Sequence, residues 1–584
     1  MRSNRAAIAL VSATSLSAIL VACAACDSSR VPGNGTVMVP MRDGVELATD
    51  LYFPDDEPAP YPVILVRTPY NKAFLENYGQ YFSGSGYAVA IQDVRGRWGS
   101  GGEWEPFVHE GEDGYDTVEW LAAREWSTGK VGMAGGSYSG SAQFAAAVRR
   151  PPHLTTIVPS VTPAMPFRNL PYEGGALLLG WAIRWTDIVE NARSGAELQR
   201  MLERSVSDDW TSALDHLPVI DLDRSVVGSD VSYWRAWVRH NTDDGYWQSV
   251  HYLDELASVD IPVLLQSGWF DGGTRGTRLA FERLRDGNND NVWMIVGPWV
   301  HSDRGTRYVE GIDMGAGAEM DLMALYRRWF DHWLKGDDNG IAQEPRVRLY
   351  LMGANRWLNG EQYPLPEVTP ERFYLIPGAD GGAGGLRRGP APAGHPHSEY
   401  AYDPGDPTPS FYAYAKRGAL LDYARQTRDR GDLLVFETPP LTEEMHVAGP
   451  LSVTLYASSS AVDTDWVATL YAITDTGLPR FIGVTFGVLR AQFRNSMAEP
   501  DPIEPGRVYA YDLDLGHTAA TIERGQRLRL EIASAAFPEY SRNLNTGEPS
   551  ELGTEFLVAH QRVYHDANRA SFLQLPVLSN RERR

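Results

Sequence analysis

The chain has 584 residues, of which 43% are hydrophobic, 11% aromatic and 22% charged. This length and apolar content exclude a single small binding module and a disordered chain, and they predict several folded units. The formal net charge of −22, with no basic run after the N-terminus, excludes nucleic acid as a favoured partner. The only two cysteines are Cys23 and Cys26, so the folded body has no disulfide, no thiolate nucleophile and no cysteine-ligated metal.

The N-terminus has the pattern of an export signal. Arg2 and Arg5 precede an apolar stretch of small residues that ends in Leu20-Val-Ala-Cys23, which resembles the bacterial lipobox. We therefore expect a signal peptide over residues 1–22, a lipid on Cys23 and a polar tether over residues 23–35. Ordinary signal-peptidase cleavage beside Cys23 and an uncleaved signal anchor remain alternatives. The lipoprotein interpretation predicts an exported bacterial protein, held by its lipid on the periplasmic or cell surface; the sequence does not tell which membrane holds it.

Short apolar runs alternate with helical patterns over residues 36–162 and again over residues 257–344. Continuous apolar runs of this kind are typical of strands that are buried on both faces. The predicted strands are 62–66, 87–91, 131–134, 262–266 and 292–296. Strands that alternate with helices predict an α/β fold with a parallel sheet covered on both sides.

Residues 163–256 interrupt this core with helical patterns and no strand pattern. An insertion of this length between two strands predicts a helical cap. It holds six of the 17 tryptophans, which either shape a pocket for an acyl group or simply pack the inserted helices together. From residue 345 to residue 584 the hydrophobic period becomes two, beginning with the run 346–351, which predicts a C-terminal all-β sandwich of the jelly-roll type.

The strongest local motif is Gly132-Met-Ala-Gly-Gly-Ser137-Tyr138-Ser-Gly140, between a predicted strand and a predicted helix. A strand, a glycine-flanked turn and a helix form a nucleophile elbow, in which the strained turn exposes a serine hydroxyl. We therefore expect Ser137 to be the nucleophile, although the second glycine falls one position later than in the common G-x-S-x-G pattern. The alternative is a glycine-rich turn with an incidental serine.

Two later strands each carry one residue that suits a catalytic partner. Asp271 follows the strand 262–266, and His301 follows the strand 292–296. Residues just past the carboxyl ends of parallel strands gather at one edge of the sheet, and the chain order Ser, Asp, His fits this architecture. Taken singly, Asp271 could be a turn former and His301 a loop histidine. Their joint placement predicts a Ser137, His301, Asp271 triad, in which His301 moves the proton and Asp271 orients the imidazole.

The negative oxygen of the tetrahedral intermediate requires two hydrogen-bond donors. The backbone N–H of Tyr138, directly after the nucleophile, is the first expected donor. The second should come from the loop after the third strand, which reads Arg67-Thr-Pro-Tyr70-Asn-Lys72. A tyrosine hydroxyl is protonated at neutral pH, so we expect Tyr70 to complete the oxyanion hole, with a backbone N–H of the same loop as the alternative.

These motifs together resemble the CocE/NonD hydrolases, the superfamily of cocaine esterase and the Xaa-Pro dipeptidyl-peptidases. The resemblance spans nearly the whole chain after the tether. It rests on Arg67-x-Pro-Tyr70-x-Lys72, Asp93-Val-Arg-Gly-Arg97, Gly135-x-Ser137-Tyr-x-Gly140, Gly268-Trp-x-Asp271, Gly297-Pro-Trp-x-His301 and Asp463-Thr-Asp-Trp466. The resemblance implies an α/β-hydrolase core, an inserted helical cap, a C-terminal jelly roll, a serine nucleophile and a tyrosine-assisted oxyanion hole. It implies no metal and no organic cofactor.

The expected activity is hydrolysis of carboxylic esters, and of amides as a second class, through an acyl-enzyme on Ser137. The substrate partner is a small-molecule ester or amide, and the sequence does not indicate the oligomeric state.

The alternative is an Xaa-Pro dipeptidyl-peptidase or an α-amino acid ester hydrolase, which pairs a substrate ammonium with buried carboxylates. Relatives of the latter kind carry acidic residues two and three positions after the triad aspartate, where this chain has Gly273 and Thr274. Glu173 remains a candidate ammonium partner. A carbohydrate- or surface-binding lipoprotein with a relict hydrolase core is a third hypothesis, disfavoured by the complete triad.

Overall fold

The computed structural model describes residues 33–163, 166–203, 212–309, 311–378, 383–389 and 397–579. The expected signal peptide, Cys23 and most of the expected tether lie outside the described residues. Within the described part of the chain, no helix combines the length and the apolar character that crossing a membrane demands.

A ten-stranded mixed sheet forms the core of the first half of the chain. Its first elements are β1 (Gly35–Pro40), β2 (Glu46–Tyr52), β3 (Tyr61–Thr68), α1 (Glu76–Ser83), β4 (Ala88–Asp93), α2 (Glu110–Ala122), β5 (Ser127–Gly136), α3 (Tyr138–Val148) and β6 (Leu154–Ser160). The predicted strands over 62–66, 87–91 and 131–134 correspond to β3, β4 and β5. The helix predicted to begin near Ser141 begins at Tyr138 instead, because the turn between β5 and α3 is a single residue wide.

The segment after β6 is mainly helical, with one small hairpin. Its elements are β7 (Tyr172–Glu173), β8 (Ala176–Leu177), α4 (Leu179–Asn191), α5 (Gly195–Glu203), α6 (Ser232–Arg239) and α7 (Gly245–Gln248). The expectation of a segment without strands is therefore wrong at the β7–β8 hairpin, whose two-residue strands are too short to leave a period-two pattern. Trp234, Trp237 and Trp247 are fully buried in this segment. They pack its own core, whereas Trp181 and Trp185 face a cavity that is described below.

The sheet then continues with β9 (Val263–Gly268), α8 (Thr274–Asp286), β10 (Val292–Gly297), the hairpin strands β11 (Tyr308–Val309) and β12 (Ile312–Asp313), α9 (Leu322–Phe330), β13 (Val347–Leu351) and β14 (Arg356–Gly360). The strand order is β1-β2-β4-β3-β5-β6-β9-β10-β13-β14. From β4 to β13 all neighbours run parallel, and antiparallel strands close both edges.

The parallel strands are buried on both faces, as their apolar runs predict. Leu65 and Met133 point to the side covered by α2, α3 and α8, whereas Ile64 and Ala134 point to the side covered by α1 and α9. This double coverage fixes the register of the strands, because a slip by one residue would exchange the two faces. All the loops that follow parallel strands therefore meet at one edge of the sheet.

A second, β-rich unit follows the core. Its elements are β15 (Val368–Ile376), β16 (Gly384–Arg387), β17 (His397–Tyr402), α10 (Phe411–Ala415), α11 (Leu420–Thr427), β18 (Leu434–Glu437), β19 (Met445–Ser459), β20 (Asp465–Ile473), β21 (Pro479–Arg480), β22 (Phe486–Arg490), β23 (Tyr509–Ile522), β24 (Arg527–Ala533), β25 (Ala559–Tyr564) and β26 (Phe572–Leu578). These twelve strands form one sheet system, separate from the first.

The structure differs from the sequence-based expectation at the first strand of the second half. The run 346–351 was expected to open the sandwich, but β13 pairs in parallel with β10 and in antiparallel with β14, so it extends the first sheet. The alternating pattern is the same for an edge-side strand of one sheet and a strand of the next, which is why periodicity does not separate the two cases.

Candidate active site

The turn that carries Ser137 has the geometry of a strained strand-to-helix elbow. β5 ends at Gly136, α3 begins at Tyr138, and Ser137 between them has φ 59° and ψ −125°. A positive φ is uncommon for a residue with a side chain and persists only where the surroundings impose it. Here the Ser137 N–H donates to the carbonyl of Ser160 at the end of β6, which holds the turn against the neighbouring strand.

The late glycine of the motif has a steric reason. A Cβ at Gly140 would collide with the side chain of Thr162, which follows β6. A Cβ at Gly135 would lie 2.6 Å from Cβ of Ser139, the residue at the usual glycine position. The close approach between α3 and the β6 loop therefore falls at residue 140, one position later than the common pattern places it.

Asp271 and His301 form a hydrogen-bonded pair at the ends of β9 and β10. Oδ2 of Asp271 lies 2.6 Å from Nδ1 of His301, and the Asp271 side chain is fully buried. The other carboxylate oxygen accepts from the N–H of Gly273. The imidazole is half exposed and faces the same cavity as Ser137. A buried carboxylate on Nδ1 selects the tautomer that leaves Nε2 as the proton acceptor.

Tyr70 reaches Ser137 from the loop after β3. Its hydroxyl lies close to Ser137 and accepts from the indole N–H of Trp185 at 2.8 Å. Burial raises the pKa of the Tyr70 phenol, so it stays protonated. An indole can only donate, and it therefore leaves the phenolic proton of Tyr70 available for an oxygen in the site.

The loop that carries Tyr70 is held from both sides. The Tyr70 N–H donates to Oγ1 of Thr68 at 3.1 Å, and the Lys72 N–H donates to Oδ1 of buried Asp93 at 2.7 Å. Asn71 between them has φ 85° and accepts the N–H of Ala73 with its side chain. The anchored N–H groups of Tyr70 and Lys72 fix the direction in which the Tyr70 side chain leaves the loop.

Tyr138 contributes differently with its backbone and its side chain. Its N–H belongs to the first turn of α3, where helix N–H groups lack an intrahelical acceptor. Its phenol donates to Oε1 of Glu110 at 2.7 Å and accepts from the Phe107 N–H at 3.0 Å, and its ring stacks on Phe107. Burial raises the pKa of this phenol well above its usual value. The side chain therefore anchors the helix start, and the backbone N–H remains for the site.

Glu110 and Arg67 lie beneath this anchor, and the sequence motifs gave no sign of their pairing. Nη1 of Arg67 lies 2.7 Å from Oε2 of Glu110, with both side chains buried. Burial raises the pKa of the Glu110 carboxyl, and the Arg67 charge opposes this rise. The pair links β3, which leads to Tyr70, with α2, which holds the Tyr138 phenol.

Five of the six predicted site residues gather at one edge of the sheet, and the sixth, Cys23, lies outside the described residues. Ser137, Asp271, His301 and Tyr70 line one cavity of about 1580 Å³. In the described part of the chain, no hydrogen bond joins the Ser137 hydroxyl to the His301 imidazole; the serine instead contacts Tyr70. Catalytic hydrogen bonds are often long or unmade without substrate, and a rotation about χ1 of Ser137 would redirect its hydroxyl.

The helical segment also lines this cavity, as one of the two alternatives for its tryptophans predicts, and so does the second unit, which the sequence did not reveal. Trp181 and Trp185 come from α4, and Tyr412 and Phe486 come from the β-rich unit. These aromatic side chains make much of the wall apolar. The cavity therefore depends on all three parts of the chain.

The cavity wall holds a carboxylate that is already neutralised. Glu173 in β7 forms an ion pair with Arg275 at the start of α8, and both residues are buried. Arg275 also donates to the backbone carbonyls of Phe486 and Asp514 in the second unit. Sequence reasoning singled out Glu173 but not its partner, which lies 102 positions away along the chain.

Comparison with protein families covers both halves of the chain. Residues 43–303 match the family described as X-Pro dipeptidyl-peptidase (S15 family), and residues 339–574 match the X-Pro dipeptidyl-peptidase C-terminal non-catalytic domain. The second match begins within the linker before β13, although that strand belongs to the first sheet.

Individual relatives agree with this result. The chain is 34% identical to cocaine esterase of Rhodococcus sp. (strain MB1 Bresler) over 577 residues, covering 93% of this chain and 98% of that protein. An α-amino acid ester hydrolase structure is 25% identical, with a TM-score of 0.78 over 97% of this chain and 100% of the other. An aminopeptidase from a marine sediment Thaumarchaeota archaeon has the same fold, with 24% identity and a TM-score of 0.79 over 94% and 96% of the two chains.

The family resemblance that the motifs carry is thus confirmed over both halves of the chain. The protein belongs to the CocE/NonD and X-Pro dipeptidyl-peptidase family of serine hydrolases.

Proposed function

We propose that the protein is a carboxylic ester hydrolase that acts through an acyl-enzyme on Ser137, with amides as a second class of substrate. The observation that carries the proposal is the Asp271–His301 hydrogen bond of 2.6 Å beside a strained serine turn in one cavity. The 34% identity to an esterase over almost the full length of both proteins supports the same conclusion.

The geometry supports a distinct role for each residue. Ser137 Oγ attacks the ester carbonyl carbon as His301 Nε2 accepts its proton, and Asp271 stabilises the imidazolium that forms. The alcohol leaves with the proton that His301 returns. Water then attacks the acyl-enzyme by the same route, which releases the acid and restores Ser137.

The negative oxygen would be stabilised by the N–H of Tyr138 and the hydroxyl of Tyr70. The contact between Tyr70 and Ser137 fits this role, because the serine must turn away to His301 in order to react. The phenolic proton of Tyr70 then points to the place where the carbonyl oxygen of a substrate enters. The Trp185 indole keeps the phenol in this direction throughout.

We also propose that residues 163–256 act as a cap over the cavity and that the β-rich unit is a jelly roll. The aromatic wall contributed by α4 supports the first assignment, and the antiparallel pairing that dominates β15 to β26 supports the second. A cap and a second unit that both line the cavity would exclude water from the acyl-enzyme until the acyl group is in place.

The second candidate function is that of an aminopeptidase-like or α-amino acid ester hydrolase, and Glu173 is the observation in its favour. Its charge, however, is already balanced by Arg275 within the cavity wall. The positions after Asp271 that would supply further carboxylates are Gly273 and Thr274. A substrate ammonium would therefore enter without a counter-charge, which costs several kcal/mol.

We retain the lipid anchor on Cys23 as a proposal about localisation. The apolar stretch and the lipobox-like sequence before Cys23 support it, and the acidic body would remain in water beside the bacterial membrane that carries the anchor.

The nucleophile assignment predicts that Ser137→Ala loses both fluorophosphonate labelling and turnover of aryl esters. The hydroxyl is the only group in the proposed mechanism that forms the covalent bond, so no partial activity through the acyl-enzyme should remain. Mass spectrometry of the labelled peptide locates the modified residue. Ser249→Ala, which changes an exposed serine, is the matched control and should label as the wild type does. A label on another serine contradicts the assignment.

The oxyanion assignment predicts that Tyr70→Phe lowers kcat by roughly 10²- to 10³-fold, because one donor to the negative oxygen is removed. Steady-state kinetics on an aryl ester measure the loss, and thermal unfolding checks that the fold persists. Tyr308→Phe removes an exposed hydroxyl and serves as the control. A loss below about threefold would transfer the role to a backbone N–H of the loop.

The ion pair between Glu173 and Arg275 predicts a preference for esters without an ammonium group, and one substitution should weaken this preference. The kcat/KM for aryl esters without an ammonium should be roughly 10²-fold higher than that for the matching α-amino acid esters. The difference from Xaa-Pro anilides should be larger still. Arg275→Met leaves the Glu173 carboxylate without its ion-pair partner. The kcat/KM of the α-amino ester, relative to that of the neutral ester, should therefore rise about tenfold or more.

The control for this substitution is the double variant Arg275→Met/Glu173→Gln, in which the rise should disappear. Both variants share any loss of contacts with the second unit, so their difference isolates the carboxylate. If Xaa-Pro anilides are the best substrates of the wild type, the ester assignment is wrong.

The anchor proposal predicts that Cys23→Ser blocks lipid attachment, so that the protein leaves the membrane fraction or keeps its signal peptide. Cys26→Ser is a matched control three residues away and should fractionate like the wild type. Metabolic labelling with a fatty acid and immunoblotting of fractions measure the result. Wild-type protein found wholly in the soluble fraction refutes the lipid anchor.

A further inference from the structure

The cavity wall near the turn of Ser137 includes a cation that the proposed mechanism does not use. Arg304 lies close to Tyr78 and Tyr326, and the apolar side chains of Leu75 and Met323 pack in the same cluster as these two tyrosines. We refer to these five residues of the wall as the Arg304 pocket. None of its residues has a role in the triad or the oxyanion hole described above.

Arg304 enters the pocket three positions after His301. Its Nη1 donates to Oγ of Ser160 at 2.6 Å and lies 3.5 Å from Oε1 of Gln266. Among the described residues, no carboxylate forms an ion pair with this guanidinium, whereas Arg275 in the same cavity is paired with Glu173. Both of these neutral contacts use Nη1, so the donors on Nε and Nη2 remain for a ligand.

Tyr78 adds a second donor that has no partner among the described residues. Its hydroxyl is buried and has no hydrogen-bond partner within the described chain. Burial raises the pKa of the Tyr78 phenol, which keeps its proton, and the charge of Arg304 is close enough to oppose that rise. A buried polar group without a partner is costly, so its place beside a cation at a cavity wall points to a ligand that accepts hydrogen bonds.

The pocket opens directly next to the reacting serine. A Cβ built on Gly136, the residue before Ser137, would lie 3.2 Å from Nη1 of Arg304. Glycine at this position keeps the space between the nucleophile and the guanidinium open. A ligand group that reaches Arg304 therefore belongs to a molecule short enough to hold its ester at Ser137.

We propose that the Arg304 pocket binds a carboxylate on the substrate, so that the enzyme favours esters in which a short chain joins the scissile ester to a free carboxylate. A single guanidinium balances one negative charge, and its remaining donors with the Tyr78 hydroxyl match the two oxygens of a carboxylate. The apolar side chains of Leu75 and Met323 suit the methylene groups between them. This proposal deepens the ester hydrolase function and rests on it.

The test compares two para-nitrophenyl esters that differ only in charge. The wild type should hydrolyse para-nitrophenyl hydrogen glutarate at least about tenfold better in kcat/KM than its neutral methyl ester, para-nitrophenyl methyl glutarate. Arg304→Met should lower this ratio by roughly 10- to 100-fold, and Arg304→Lys should restore part of it. The exposed Arg425 supplies the control, because Arg425→Met makes the same change in net charge away from the pocket.

Tyr78→Phe separates a binding role from a structural one. The lost hydroxyl has no hydrogen-bond partner in the part of the chain that the structure describes, so the melting temperature should not fall. The ratio between the charged and neutral esters should nevertheless fall by roughly three- to tenfold. A wild-type preference for a charged ester that stays unchanged in both Tyr78→Phe and Arg304→Met overturns the proposal.

A second pair of esters identifies the side of the substrate that carries the carboxylate. The pair is the pentanoate ester of 4-hydroxybenzoate and that of its methyl ester, which place the charge on the leaving group. A preference for the charged member of either pair supports the pocket and assigns it to the acyl or the alcohol side. Equal rates within both pairs overturn the pocket.

A direct binding measurement tests the Arg304 pocket independently of the proposed ester hydrolysis. Calorimetry with glutarate on Ser137→Ala should show binding that is lost in Ser137→Ala/Arg304→Met. If the wild type cleaves no ester, the proposed function fails while glutarate binding still reports on the pocket. If esters are cleaved but glutarate does not bind and the charged esters gain nothing, the pocket proposal alone fails.

Discussion

The parallel register from β4 to β13 is the constraint on which the rest of the molecule depends. Parallel strands place their carboxyl ends at one edge, so the loops that carry Ser137, Asp271 and His301 meet although 134 residues separate the first two. The double burial of these strands opposes a slip of the register, because a slip by one residue would exchange the two packed faces. The precise hydrogen bond between Asp271 and His301 is thus a consequence of packing in the sheet below it.

Much of the site follows from the sequence because its residues stand at the ends of recognisable strands. Ser137, Asp271, His301 and Tyr70 each follow a run of apolar residues that only a buried strand explains. The partners that complete the site carry no such signal. Trp185, which donates to Tyr70, and Arg275, which pairs with Glu173, lie on helices. The sequence pattern predicts such helices but not the direction in which these side chains point. Their contacts depend on how the helical segment lies over the sheet, which no local pattern encodes.

The differences between the predicted and the observed fold have the same cause, because local sequence patterns do not encode tertiary contacts. A two-residue strand such as β7 leaves no periodicity, and β13 has the same alternation whether it belongs to the first sheet or opens the second. The displaced glycine at residue 140 has a similar origin. Its reason is the side chain of Thr162 from the next strand loop, so the motif is shaped by a tertiary contact and its spacing can shift without loss of the elbow.

The second unit supports the acid loop as well as the cavity wall. Nε2 of His517 in β23 lies 3.0 Å from the carbonyl oxygen of Thr274, three residues after Asp271, and the neighbouring Arg275 donates to the backbone of the same unit. Burial lowers the pKa of His517 to about 3, so its imidazole stays neutral throughout the range in which a histidine base can work. Burial disfavours the protonated form, so the charge of His517 changes only as the pH falls towards that pKa. The contact between His517 and the loop that follows Asp271 therefore keeps the same protonation state at neutral and mildly acidic pH, and through it the β-rich unit supports the position of Asp271.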